Sequence, residues 1–500
     1  MSWENTLRRS AGLLGSALLA VAVASAFAGQ DMSPRLGKDL SGVLRVEASA
    51  YAWSPDGKRL AYSDGRNILI GGAPNFEQAR RVVDKSTSDI AWSPDGNELG
   101  FVGPRGGDST GNNTIWIVSD DGSGLRDLLR TAKPAYKGPQ ISYPMISGWL
   151  GTREIAFVQH CGTACSFLKE VDYAGTAVRG FCAGRGEFFW SPDHTRAVAQ
   201  DDNLGRPGWM GLVGAGQSSD SLESAAFCEY PISGCFVGEP PPGGILTPDK
   251  ERYTFDNWNS DSRNVLYTGT SCMDDPAEGG DLFTWDVIGN VRKVVLSNAG
   301  YGAWSPDRTK IAFTLFGVPT YKNGILTGGS GRLEPAPQVY VGDWNSRESR
   351  VTNIVALCPA PRRGPGFVMS SDIEHPIWSP RSDRLIVRNA DKDLVLFSAD
   401  GKKKTLLLEG WKGSRAESYV ARGEARWSPD GNWIALLVGE EQPIPAVTTA
   451  LPTPQSADAN AQDAGSTVHA AGRWRSTAPS AQPPLPTFTQ VLYVIANPKL

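Results

Sequence analysis

Histidine is scarce: four in 500 residues, at positions 160, 194, 375 and 469. That scarcity thins out the usual source of near-neutral proton transfer and of nitrogen ligands for metals. Positive charge is not in excess either, since 49 Lys and Arg face 53 Asp and Glu, a formal net charge of −4. A protein that grips a phosphate backbone needs a basic footprint, so nucleic acid is excluded as a partner. A serine hydrolase of the peptidase kind would need a further α/β domain of a couple of hundred residues to carry its nucleophile, and the organisation described below leaves no room for one. The acidic pairs Asp201-Asp202 and Asp274-Asp275 lack the spaced oxygens of a calcium loop and read as solvated loop charge. His160 and His375 are two scattered candidates for a metal, too few for a site. No catalytic residue, cofactor or metal ligand is assigned from the sequence.

Long apolar runs are equally rare. After Arg8 and Arg9, the stretch AGLLGSALLAVAVASAFA is uncharged to Ala28 and ends in an Ala-x-Ala pattern. Residues 1–28 therefore read as a secretory signal peptide cleaved before Gly29. The alternative is an uncleaved anchor, but Gly12, Gly15, Ser16 and many alanines make a weak span. No later stretch is long and apolar enough to cross a bilayer, so no stable membrane insertion is expected after cleavage, and the destination is the periplasm or the exterior.

In that oxidising setting the seven cysteines take on meaning. Cys161 with Cys165, and Cys228 with Cys235, are candidate disulfides closing short irregular loops. Neither pair matches a zinc framework, which wants two such pairs at matching spacing. Cys182, Cys272 and Cys358 form an odd remainder.

What the chain has in abundance is repetition. The pentad WSPDG or a near copy begins at Trp53, Trp92, Trp190, Trp304, Trp378 and Trp427, and weaker copies begin at Trp149 and Trp258. Each is followed by a short strand-like segment, such as KRLAYS, NELGFV, TKIAFT or NWIALL. Ser-Pro-Asp-Gly between the two is turn chemistry: Pro presets φ, Asp fits the third position, and Gly tolerates the left-handed conformation. The aspartates at 56, 95, 193, 307 and 430 are therefore turn residues. Each Trp supplies a large apolar surface for packing one sheet on the next. Third and fourth strands follow in most units, for example TIWIVS and LRDLL, with another short Asp-Gly turn between them.

Four antiparallel strands per unit, repeated around a ring, define a β-propeller blade. The expected fold is all-β, a single propeller domain over 29–500 with eight blades, or seven if one weak copy is decorative. The last unit lacks a fourth strand, and Val43 to Val46 sit at the offset to supply it and close the ring, removing an exposed edge.

The tandem units resemble the WD40-like repeats of TolB, the periplasmic component of the Tol-Pal system, and of propellers in prolyl oligopeptidase-type peptidases. The resemblance covers nearly the whole mature chain and implies the fold. It implies no function, because propellers host binding modules and enzymes alike. The chain departs from TolB in having only a short segment, with no separate α/β domain, between the leader and the first repeat.

Loop lengths separate two faces. The SPDG turns and the third-to-fourth turns share a uniform face. Insertions fall on the other: Gly103 to Asn113, the CGTAC loop, Asp201 to Gly208, Thr270 to Asp281, Gly317 to Pro337 and Glu440 to Gln490 within units. Thr131 to Ser147, Gly238 to Tyr253 and Ala356 to His375 lie between units. The 440–490 tract is rich in Ala, Pro, Thr, Ser and Gln and is expected to be disordered. Long loops on a rigid scaffold carry binding. The expectation is thus a non-enzymatic scaffold that binds an envelope or extracellular protein, peptide or glycan on the inserted face. The alternative is a propeller hydrolase or lyase acting on polysaccharide or peptide, with acidic and His side chains at the channel mouth.

Overall fold

The computed structural model describes residues 35–38, 40, 44–85, 87, 89–104, 113–129, 144–151, 154–160, 166–175, 178–184, 187–200, 210–214, 251–271, 280–331, 336–361, 375–410, 424–441 and 488–500. The signal segment 1–28, Cys161, Cys165, Cys228, Cys235 and most inserted loops, including 442–487, lie outside them.

Every regular element among the described residues is a strand, and the strands pair antiparallel in chain order. In the Trp92 unit, Ile90–Trp92, Glu98–Pro104, Asn113–Ser119 and Arg126–Asp127 lie side by side. Eight sheets begin with a Trp strand in this way, the one at Trp190 with three described strands and the others with at least four, so the chain folds as a β-propeller. The segment Gly317 to Pro337, read above as a loop, contains its own hairpin of Pro319–Lys322 and Ile325–Gly329. The last sheet is completed by Leu44–Glu47, one residue later than expected, with Leu44 opposite Val494 and Glu47 opposite Val491. Arg35–Leu36, which the sequence did not flag, adds a further edge strand beside Lys404–Glu409.

The second strands read as continuous apolar runs because both of their faces are covered. Ile434, Leu436 and Val438 pack with Trp427 and the Trp378 sheet, while Ala435 and Leu437 pack with Tyr51 and Leu60 of the first sheet. First and last units are thus in contact. A small residue recurs on one face: Ala61 shares a core with Trp92, and Ala312 with Trp378. Gly100 takes that place in the Trp92 unit, where an added Cβ would sit 3.5 Å from the ring of Trp149. Small side chains on one sheet thereby make room for the indole of the next, which lets the layers interlock at crystal-like density.

The tryptophans also do what apolar packing alone does not require. Trp92, Trp258, Trp378 and Trp427 donate their indole N–H to the carbonyls of Ala52, Phe189, Ala303 and Ile377, each the residue before the Trp of the preceding unit, at 3.0, 2.8, 3.0 and 3.3 Å. Trp190 donates to Ser147 Oγ at 2.9 Å. Successive Trp strands are therefore stitched to one another along the inner edge of the sheets.

The turns follow one design. Ser54, Ser93, Ser191, Ser305 and Ser428 each donate Oγ–H to the aspartate two residues on at 2.6 Å. In the variant WSPRS the carboxylate is displaced to Asp383, yet Ser379 still reaches it at 2.6 Å. The fourth turn position is left-handed even where Gly is replaced, with φ of 56° at His194 and 63° at Arg308. Adjacent turns touch: the hydroxyl of Ser262 accepts from Asp193 N, that of Ser382 accepts from Asp307 N, and Arg381 donates to the carbonyl of Asp430.

Candidate functional site

The Trp strands of four units, at Trp190, Trp258, Trp304 and Trp378, enclose a cavity of about 470 Å³. Its position follows from backbone irregularity. The ladder slips between Phe255 and Asn257 in the Trp258 strand and between Gly300 and Ala303 in the Trp304 strand. A bulge leaves one residue out of the pairing and re-aims its side chain. Here the freed residues are Asp256 in one strand and Tyr301 and Gly302 in the next. Tyr301 stands at φ +55°, a conformation an aromatic residue rarely adopts, between two glycines. Such a departure persists only when the surroundings hold it in place.

Asp256 is what those surroundings hold. Its side chain is fully buried, and its carboxylate accepts hydrogen bonds from Thr268 Oγ1 at 2.6 Å and from the Gly302 amide at 3.2 Å, both at Oδ2. Thr268 Oγ1 in turn accepts from the Tyr301 amide at 3.1 Å. Oδ1 meets Nε2 of His375 at 3.0 Å. Because a carboxylate can only accept, this network assigns the imidazole proton to Nε2. Nδ1 has no hydrogen-bond partner among the described residues and His375 is one-seventh exposed, with the edge of Tyr301 5.5 Å away. Asp256 and His375 belong to units separated by the whole Trp304 unit, so the pair bridges across the inner edge of the intervening strand.

The walls are apolar and aromatic: Phe189 and Phe255, stacked at 4.3 Å, with Trp258, Trp304, Trp378 and Ile377. Among the described lining residues there is neither Lys nor Arg. A mainly apolar recess of this size with a few polar groups, here Asp256, Asn257, Ser260, Ser305 and His375, is the usual form of a small-ligand site.

Of the residues singled out from sequence, the structure brings Trp258, Trp304, Trp378 and His375 to the cavity. Trp53, Trp92, Trp149 and Trp427 occupy the matching places in units that do not line it, and the Trp190 unit contributes Phe189 and Pro192 in place of its Trp. His375, expected on the inserted face, turns inward to Asp256. His194 is a turn residue, His160 ends a strand whose final side chains are not described, and His469 lies outside the described residues, as do Asp201-Asp202 and Asp274-Asp275. No group of three or more His, Cys, Asp or Glu able to hold a metal occurs among the described residues. The string Gly107-Asp108-Ser109-Thr110-Gly111, which sequence analysis did not raise, has the spacing of a serine-hydrolase elbow and lies outside the described residues, in the sequence between the strands Glu98–Pro104 and Asn113–Ser119.

Sequence reasoning missed Asp256, although a signal existed. Two residues before each repeat Trp stand Tyr51, Ile90, Ser147, Phe188, Asp256, Gly302, Pro376 and Ala425. Asp256 is the one charged residue of that series.

Comparison of the chain with models of known families gives no match, and comparison with curated proteins gives none. Among solved structures, it is similar to an oligogalacturonate lyase in complex with manganese, at 13% identity and a TM-score of 0.41 over 76% of this chain and 96% of that one. It is also similar to TolB from Acinetobacter baumannii, at 13% identity and 0.31 over 71% and 78%, and to the Dos1 propeller, at 12% and 0.40 over 70% and 78%. At these values nothing about a site transfers, and the cavity stands on its own residues.

Proposed function

We propose that the chain is an exported, eight-bladed propeller that binds and does not catalyse, with its ligand seated in the cavity between the Trp190, Trp258, Trp304 and Trp378 strands. The observation that carries this reading is the commitment of the cavity's polar groups. Ser305 Oγ donates to Asp307, Ser260 Oγ donates to the Pro306 carbonyl, and Asn257 Oδ1 accepts from the Trp304 amide. Asp256 already accepts three hydrogen bonds. Acid–base or covalent catalysis needs a second proton-transferring group or a nucleophile beside the base, and among the described lining side chains the groups left over are His375 Nδ1 and the N–H groups of the Asn257 amide and the Trp304 indole, neither of which transfers a proton. Export is supported by Arg8, Arg9 and the apolar run to Ala28. A protein, peptide or glycan partner presenting a small group into the cavity fits this reading, and the Cys161–Cys165 and Cys228–Cys235 pairs, outside the described residues, are proposed as disulfides.

A second reading, a hydrolase or lyase, draws on the Asp256–His375 pair, since a carboxylate that orients an imidazole also suits a general base. The test is native mass spectrometry of the mature protein isolated from its own envelope or medium, beside a Ser260→Trp variant, followed by incubation with peptide and polysaccharide mixtures. The binding reading expects a stoichiometric ligand that is lost in Ser260→Trp, with no product accumulating. Product that accumulates with time and disappears in His375→Ala overturns it in favour of the enzyme.

A further inference from the structure

The charge and hydrogen-bonding pattern of the cavity narrows the ligand, on the premise that the cavity is a binding site. Among the described lining residues Asp256 is the one acidic side chain, and no Lys or Arg accompanies it. Its hydrogen bonds from Thr268, Gly302 and His375 stabilise the carboxylate but bring no positive charge when the imidazole is neutral. A charge held inside a protein is screened less than one in bulk water and is felt over several ångströms. The cavity then carries one negative charge inside aromatic walls. An anion is repelled from it, and a neutral ligand gains nothing from the field. His375 adds a second constraint. With its proton on Nε2 and directed at Asp256, the ring offers a lone pair at Nδ1, so the matching ligand group is a hydrogen-bond donor.

We infer that the cavity takes an apolar organic cation bearing an N–H donor, an arylalkyl- or alkylammonium group whose hydrocarbon body fills the aromatic enclosure and whose nitrogen donates to His375 Nδ1. Asp256 acts as the positioning residue: it fixes the imidazole tautomer and supplies the charge without touching the ligand. The aromatic rings add attraction for a cation beyond their area. The ammonium group can belong to a free amine or to the amino terminus of a peptide.

Three probes of closely matched shape separate charge from fit: 3-phenylpropylamine, 3-phenyl-1-propanol and 3-phenylpropionate, titrated at pH 8 against the mature protein, with heat and the fluorescence of Trp258, Trp304 and Trp378 as readouts. The amine should bind on the order of 10-fold or more tighter than the alcohol, and the acid should bind most weakly. A tripeptide beginning with Phe, tested with a free and an acetylated amino terminus, distinguishes the two sources: a free-terminus advantage as large as the amine's assigns the peptide, and none assigns the free amine. In Asp256→Asn, which keeps the shape and an acceptor oxygen, the amine should lose its advantage over the alcohol. Equal binding of amine and alcohol overturns the cation inference and leaves the cavity as a site. Tightest binding of the acid overturns it outright. If none of the probes binds, the cavity reading falls as well. The probe series on the unmodified protein decides the matter even if Asp256→Asn does not fold.

Discussion

A tryptophan repeated eight times invites explanation by area alone, but five of the eight indoles also reach a partner on the neighbouring strand. Trp53, Trp149 and Trp304 have a buried indole nitrogen without one. Replacing a Trp by Phe removes similar ring volume at each site, so the difference between sites isolates the hydrogen bond. Trp378→Phe should lose about 1 kcal/mol more than Trp304→Phe, the net contribution of one buried bond plus the orphaned Ala303 carbonyl, as read from urea midpoints. Cys358 offers a second check. Burial pushes its thiol up to about 11, so at pH 8 almost none is thiolate and alkylation at that position should be slow, speeding sharply in denaturant; peptide mapping of the labelled protein measures it. The roles of the turn residues were legible from the sequence, since Ser, Pro, Asp and Gly each have a local reason to be there. Asp256 was legible only as an oddity of register. Its pairing with His375, 119 positions away, depends on where the Trp258 and Trp378 strands fall around the ring and on two bulges, neither of which leaves a periodic mark.

Among the strands, those of the repeat announced themselves, because a segment covered on both faces must be apolar throughout and each is punctuated by the same turn. The hairpin at Pro319–Gly329 and the strand Arg35–Leu36 did not, being unrepeated. The most consequential short strand is Leu44–Glu47. Ala48 N donates to the Gln490 carbonyl at 3.0 Å, and Val46 lies two residues away on the same edge of the strand. Val46→Pro should remove a ladder bond and strand an acceptor on Phe488–Ala496, costing about 2 kcal/mol or more. The expected result is a lower melting temperature together with concentration-dependent association on a sizing column, as the uncovered edge seeks a partner. Unchanged melting would mean that the pairing contributes little to holding the first and last sheets together.

Taken whole, the molecule carries a circle of aspartates whose carboxyls are held below the ordinary range. Ser54 and Ser93 do this for Asp56 and Asp95 by direct hydrogen bonds. For Asp193, partial burial pushes the other way, yet Ser191 and Thr195 bring it to about 2. Arg263 brings Asp286 to about 2. A carboxyl depressed in the folded state stabilises the fold above its unfolded value near 4 and loses that contribution as the pH falls toward 2. Each group is largely exposed and adds little, but the turns contact one another, so the losses fall on the same ring of contacts. Urea midpoints should be flat from pH 7 to 5 and drop progressively between pH 4 and 2; a flat response to pH 2 would count against the turn network as a source of stability. The join at Leu44 also governs how the protein comes into being. Arg45 and Tyr493 are hydrogen-bonded across a separation of 448 residues, so a strand made early in synthesis waits for one made near its end. Seven sheets can stack as synthesis proceeds, but the circle shuts in a single final event, and until then both terminal sheets offer open edges. The chain therefore depends, during its own assembly, on being kept apart from its copies.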